Sequence, residues 1–177
     1  MIQEKSLNTI WYTLLMKQKE FLFTDGSVNP KQNIGFGAYL HVKQNEVYDE
    51  SLRKRVKVKK FDSTSSTKLE LETLLWALSE IDLKDVELSV FTDCQNILGL
   101  YSRREKFEKS DYLTSKNKKI ANHELYKKFY KITDAIKCKF IKVKGHKPKT
   151  QKDNIDNFFT LVDKASRNAL REVYVKL

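Results

Sequence analysis

Three extended segments in the first sixty residues are joined by turns too short to cross a sheet, and the rest of the chain alternates strand with helix. This change of connection constrains the fold more than any other feature of the chain. Residues 21–25 (FLFTD) form an apolar run ending in a polar step. In 34–42, Ile34, Phe36, Ala38, Leu40 and Val42 share one parity, the pattern of a half-buried strand. Gln44-Asn45 reads as a turn into a third strand from Val47. Around Arg53–Lys59 that strand reads RKRVKVK, so Arg53, Arg55, Lys57 and Lys59 make one face strongly basic.

A Ser/Thr cluster at 62–67 (DSTSST) breaks the strand pattern. Leu71, Leu74, Leu75, Leu78 and Ile81 then recur at helical spacing, with Thr67 and Glu70 placed as a capping box. Residues 86–93 (VELSVFTD) read as a strand, 95–101 as a short helix, and 102–120 as a basic stretch. Asn122 caps a helix carrying Leu125, Phe129, Ile132 and Ile136. Lys139–Val143 is a last short strand, and a polar loop leads to a terminal helix near 156–173. The order is β-β-β-α-β-α-α-β-α. Short turns make the leading three strands antiparallel, whereas the later crossovers require parallel neighbours. The pattern implies an α/β fold with a mixed five-stranded sheet and helices on its faces. In such sheets, groups at the carboxyl ends of parallel strands gather at a crevice.

A chain of 177 residues fits one domain, taken here as 21–177 behind an N-terminal extension, 1–20, in which Ile10, Trp11 and Leu14 offer packing groups. Cys94 and Cys138 form no CxxC pair, which argues against a disulfide framework and a zinc knuckle. No apolar run approaches the roughly 18 residues of a membrane span, and the N-terminus lacks the apolar core of a signal peptide. A cytoplasmic location, without a membrane partner, is the expectation. Lys and Arg number 34 against 23 Asp and Glu, a formal charge of +11 that favours a polyanionic partner.

Three acidic residues occupy informative places. Asp25 ends the first strand in TDGS, Asp93 ends the fourth in TDCQ, and Glu70 lies in the first turn of the connecting helix. Each has a local explanation as well: turn chemistry at Asp25-Gly26, a capping-box partner at Glu70, a helix N-cap at Asp93. Brought together, the three would repel one another unless a cation sat among them. Oxygen-only donors of this kind suit Mg²⁺ or Mn²⁺ rather than zinc.

In order, TDGS, the helix TKLELETLLWAL, VFTDCQ and VKGH resemble the ribonuclease H family, type 1. The likeness spans roughly residues 20–173. It implies a ribonuclease H-like fold and an endonuclease that cuts the RNA strand of an RNA/DNA hybrid with two divalent ions, Mg²⁺ or Mn²⁺, leaving a 5′ phosphate. On that resemblance Asp25, Glu70 and Asp93 match three metal-binding carboxylates. Asp163, leading DKASRNAL, takes the fourth place expected at the start of the terminal helix, ahead of its rivals Asp153 and Asp156. His146 matches a histidine that helps protons or product leave; His41 and His123 are given no such role.

The chain departs from the family where Ser66-Thr67-Lys68 replaces the Asn-Asn-Arg that reads the hybrid's minor groove and holds a DNA phosphate. Lysine keeps the charge without the bidentate fork of arginine. The resemblance makes Asn29, Ser66, Thr67, Lys68 and Gln95 hybrid contacts. Residues 102–120 stand where some members carry a basic handle, which adds Arg103, Arg104 and Lys106. The handle's paired tryptophans are missing, and the loop between His146 and Asp163 is longer than usual. The partner expected is an RNA/DNA hybrid, with no obligate protein partner and a monomeric chain. Two other readings use the same residues: a non-catalytic module binding hybrid or double-stranded RNA, and another polynucleotidyl transferase of this fold acting on DNA.

Overall fold

A computed structural model describes residues 18–144 and 149–175. Its five strands are β1 (Gln18–Asn29), β2 (Ile34–Lys43), β3 (Lys57–Asp62), β4 (Val86–Thr92) and β5 (Lys137–Lys142). The helices are α1 (Ser66–Glu80), α2 (Gln95–Leu98), α3 (Leu100–Lys109), α4 (His123–Ala135) and α5 (Asn154–Val175). The sheet runs β3-β2-β1-β4-β5, antiparallel from β3 to β1 and parallel from β1 to β5. This is the mixed sheet that the turn lengths predict, with β1 at its centre.

Strand alternation divides the core in two. Leu22, Tyr39, Leu88 and Val90 face α1, α3 and α4, where Leu74, Leu100 and Phe129 complete one cluster. Phe23, Leu40 and Phe91 face α5, where they meet Phe158, Leu161 and Val162. Phe23 stacks on Phe91 with ring centroids 4.8 Å apart and meets Phe158 at 5.3 Å. Covering both faces explains why the interior strands carry apolar residues of either parity.

The third strand begins later than its alternating residues imply. Glu50–Arg55 forms a 3₁₀ turn, whose Ser51 N–H donates to Asp49 Oδ1 at 2.8 Å. Leu52 is buried beneath it, while Arg53 pairs with Glu50 and Arg55 with Glu46. The acidic neighbours therefore engage both arginines locally, and neither joins a basic strand face. Only Lys57 and Lys59 of that face lie in β3, an edge strand exposed along most of its length.

The capping box at Thr67 and Glu70 does not form. Ser65 is the N-cap of α1, without a side-chain cap bond, and Leu69 N–H already donates to Ser65 O at 2.7 Å. Starting earlier places Glu70 a full turn inside the helix, where its carboxylate turns to the sheet. The basic stretch is helical in its first half. α3 is held by buried Phe107, stacked on Tyr126, and by Tyr130 OH donating to Leu100 O at 2.8 Å.

Candidate active site

The register of β1 on β4 places two aspartates side by side. Their parallel pairing ends at Phe23↔Phe91. Beyond that pair each strand continues through a buried threonine, Thr24 or Thr92, to Asp25 and Asp93 respectively. Both aspartates thus emerge at the same level, where the two strands part. This is the crevice expected at the carboxyl ends of parallel strands.

Glu70 arrives from α1 because that helix lies unusually close to the sheet. A Cβ on Gly37 would stand 1.9 Å from Thr73 Oγ1, and one on Gly26 would stand 2.9 Å from Leu69 Cδ2. Glycine at these two paired positions lets the helix settle, so that Glu70 reaches the Asp25 level. One ligand atom from each of Asp25, Glu70 and Asp93 lies within 4.8 Å of the others. Asp25 and Glu70 are buried, and Asp93 is exposed.

Asp163 lines the same cavity, of about 440 Å³, from α5. It stands outside the 4.8 Å group and pairs with Arg167 at 2.8 Å. The helix begins nine residues earlier than Asp163, so this carboxylate projects from its interior rather than its start. Asp153 and Asp156 account for the start instead. Asp156 N–H donates to Asp153 Oδ1 at 2.8 Å, and Asp153 N–H donates to Asp156 Oδ2 at 3.2 Å. That reciprocal pair is capping geometry.

Burial dominates the electrostatics. It pushes Asp25 up to about 7, helped by Asp163 and Asp93 and opposed by a hydrogen bond from Ser166. Glu70 is raised well above the ordinary carboxylate range by burial first, then by Asp25 and Asp93, against a Gly26 N–H donated to it. Glu70 Oε2 is buried with no hydrogen-bond partner among the described residues. An orphaned carboxylate oxygen facing two further carboxylates fits a divalent cation, which would supply the missing positive charge. The all-oxygen donor set suits a hard ion such as Mg²⁺ or Mn²⁺.

Ser66, Thr67 and Gln95 also line this cavity. Lys68 is adjacent in sequence but turns away, donating to Ser63 O at 2.8 Å and lying 3.5 Å from Glu72. Asn29 lies outside the cavity lining at the end of β1, where its Oδ1 accepts from Lys31 N–H at 2.9 Å. Arg103 donates to the Gly99 and Asn96 carbonyls at 2.9 and 2.5 Å. Arg104 forks onto Asp134 at 2.6 and 2.9 Å and over the Tyr130 ring, bracing α3 against α4. Lys106 is exposed beside a separate cavity bounded by Phe107, Leu113 and Ile120. His146 lies outside the described residues.

Ser27, Asn96, Ser166 and Arg167 also stand at the site, although sequence alone assigns none of them a role, even where they fall within the TDGS and DKASRNAL strings. The first, second and fourth line the cavity, and Ser166 donates to Asp25 Oδ2 at 2.8 Å. For the last two a signal existed: they come three and four residues after Asp163, which on a helix is the same face.

The RNase H family profile matches residues 17–170. A ribonuclease H of Acetivibrio thermocellus is 25% identical over 156 residues, covering 86% of this chain and 98% of its own length. A ribonuclease H of Clostridium botulinum, strain Hall, is 28% identical over 133 residues, covering 73% of this chain and 85% of its own length.

Proposed function

The chain belongs to the ribonuclease H family, and from that membership we propose that it is an endoribonuclease hydrolysing the RNA strand of RNA/DNA hybrids. The observation that carries this reading is the meeting of Asp25, Glu70 and Asp93 within 4.8 Å, from two strand ends and one helix. Proteins named ribonuclease H in A. thermocellus and C. botulinum match most of the chain at 25–28% identity and support the reading.

In this proposal Asp25, Glu70, Asp93 and Asp163 hold two divalent cations, Mg²⁺ or Mn²⁺. Bound there, the ions supply a more acidic water and charge neutralisation at the leaving 3′ oxygen, which leaves a 5′ phosphate on the product. The protein's own part is placement. Asp25 and Asp93 are fixed by strand register, and Glu70 by the glycine-floored seat of α1. Ser66, Thr67 and Gln95, on the cavity wall, hydrogen-bond the hybrid, and Asn29 and Lys68 meet it farther out. Because Arg103 and Arg104 are engaged within the fold, the phosphate grip passes to exposed Lys106, Lys116 and Lys118. His146 assists proton or product departure. The domain is taken to begin with β1 at Gln18, three residues ahead of the 21–177 drawn from sequence, and acts as a monomer. Among the described residues no helix is long and apolar enough to cross a membrane.

Incubating purified protein with an end-labelled RNA/DNA hybrid and Mg²⁺ or Mn²⁺ tests the reading. RNA-strand cleavage that disappears in Asp93→Asn is expected. Tight metal-independent binding without turnover would instead mark a binding module, and cleavage confined to DNA duplexes would mark a DNA-acting transferase.

A further inference from the structure

Ser166 is fully buried on α5, in a helix face otherwise given to packing and to Asp163. Its hydroxyl lies 2.8 Å from Asp25 Oδ2, 3.1 Å from the Asp163 carbonyl oxygen and 3.3 Å from Ser27 Oγ. A hydroxyl has one proton to give and cannot serve both acceptors at once. The carboxylate is the nearer of the two and the stronger acceptor when ionised, so Asp25 receives it. The Ser27 hydroxyl can then donate to Ser166, giving a short chain that runs from Ser27 through Ser166 to Asp25.

This arrangement orients the Asp25 side chain. Oδ2 accepts from α5, which sets the rotation of the carboxylate that joins the cluster with Glu70 and Asp93. The same hydrogen bond joins β1 to α5 one helical turn from Asp163, so it also fixes the level at which Asp163 faces the cavity. A side chain placed only to fill space would need no hydroxyl at a site that is wholly buried, where an unpaired polar group is costly.

We infer that Ser166 is a positioning residue for divalent-cation binding: its hydroxyl sets the rotation in which the Asp25 carboxylate meets the ion and pins the helix that carries Asp163. The inference rests on the reading of this cavity as the metal centre of a hybrid-cleaving enzyme.

Calorimetric titration of the full chain with Mn²⁺ reads the effect directly, beside steady-state cleavage of a hybrid. Ser166→Ala should weaken Mn²⁺ binding about tenfold, as expected for the loss of one hydrogen bond to a charged group. Cleavage should fall at low Mn²⁺ and recover as the ion is raised, with KM for the hybrid unchanged. Ser166→Cys fills nearly the same space with a weak donor and should show the same shift, which covers the case of an alanine variant that does not fold. Unchanged Mn²⁺ affinity in a folded variant, with only a lower melting temperature, would overturn the inference while wild-type cleavage stood. A wild-type chain that neither binds Mn²⁺ nor cuts the hybrid would overturn the reading of the site together with it.

Discussion

At the scale of single residues, the site is defined by anions held where anions are unfavourable. Burial pushes Asp25 up to about 7 from an ordinary 3.8, so the folded chain keeps a proton that the unfolded chain releases near pH 4. The contribution of Asp25 to stability in the absence of metal is therefore fullest below about pH 4 and is lost as pH rises toward 7, opposite in sign to that of ion-paired surface carboxylates such as Asp111 and Asp134. Thermal melts in EDTA across that window should show wild type losing stability relative to Asp25→Asn as pH rises, and adding Mg²⁺ or Mn²⁺ at neutral pH should stabilise wild type selectively. Glu70→Gln removes one of the crowded charges. It should stabilise the metal-free protein by about 1–2 kcal/mol, a rise of several degrees in melting temperature, while abolishing cleavage. Asp25 and Asp93 were legible because strand-end acids preceded by threonine stand out in TDGS and VFTD. Ser166 was legible only as a neighbour of Asp163 on one helix face, since a serine inside an amphipathic helix has no local mark of what its hydroxyl will meet across the fold.

At the scale of elements, the spacing between α1 and the sheet decides whether Glu70 reaches its partners. Gly37→Ala would put a methyl group 1.9 Å from Thr73 Oγ1, so helix or strand must move. A loss of about 1–3 kcal/mol in stability is expected, with cleavage reduced more than hybrid binding; denaturant melts and a turnover assay check both. The IGFGA segment was readable as a strand from its parity, but glycine in a strand says only that something approaches closely, not which helix does. The third strand shows the opposite limit. Val56 and Val58 alternate with basic residues over 53–59, yet Asp49 and buried Leu52 close a 3₁₀ turn across the first part of that segment. The Thr67–Glu70 spacing likewise matched a capping box whose glutamate is drawn to the sheet instead. Local patterns gave way in these places to interactions made at a distance.

Across the whole molecule, the positive charge of +11 is the property that a polyanionic substrate would feel first. Hybrid affinity should fall linearly on a log–log plot against salt. Replacing exposed Lys106 or Lys118 with alanine should reduce that slope by roughly 0.7–0.9 for each phosphate no longer neutralised. Arg104→Ala should leave the slope nearly unchanged and cost under about 1 kcal/mol of stability, because its partially exposed guanidinium is spent on Asp134 and Glu108. The antiparallel-then-parallel sheet was legible from connection lengths alone, since short turns and long crossovers admit few topologies. The depth of Asp163 along its helix was not, because the capping pair Asp153–Asp156 that starts the helix looks in sequence like two rival ligands. Function at every scale depends on carboxylates from β1, α1 and β4 forming one divalent-cation site. The most direct test is an anomalous-diffraction map of crystals soaked in Mn²⁺. A strong peak bounded by Asp25, Glu70 and Asp93, lost in Asp93→Asn, is expected; Mn²⁺ bound elsewhere, with this cluster empty while the protein still cuts hybrid, would overturn that assignment.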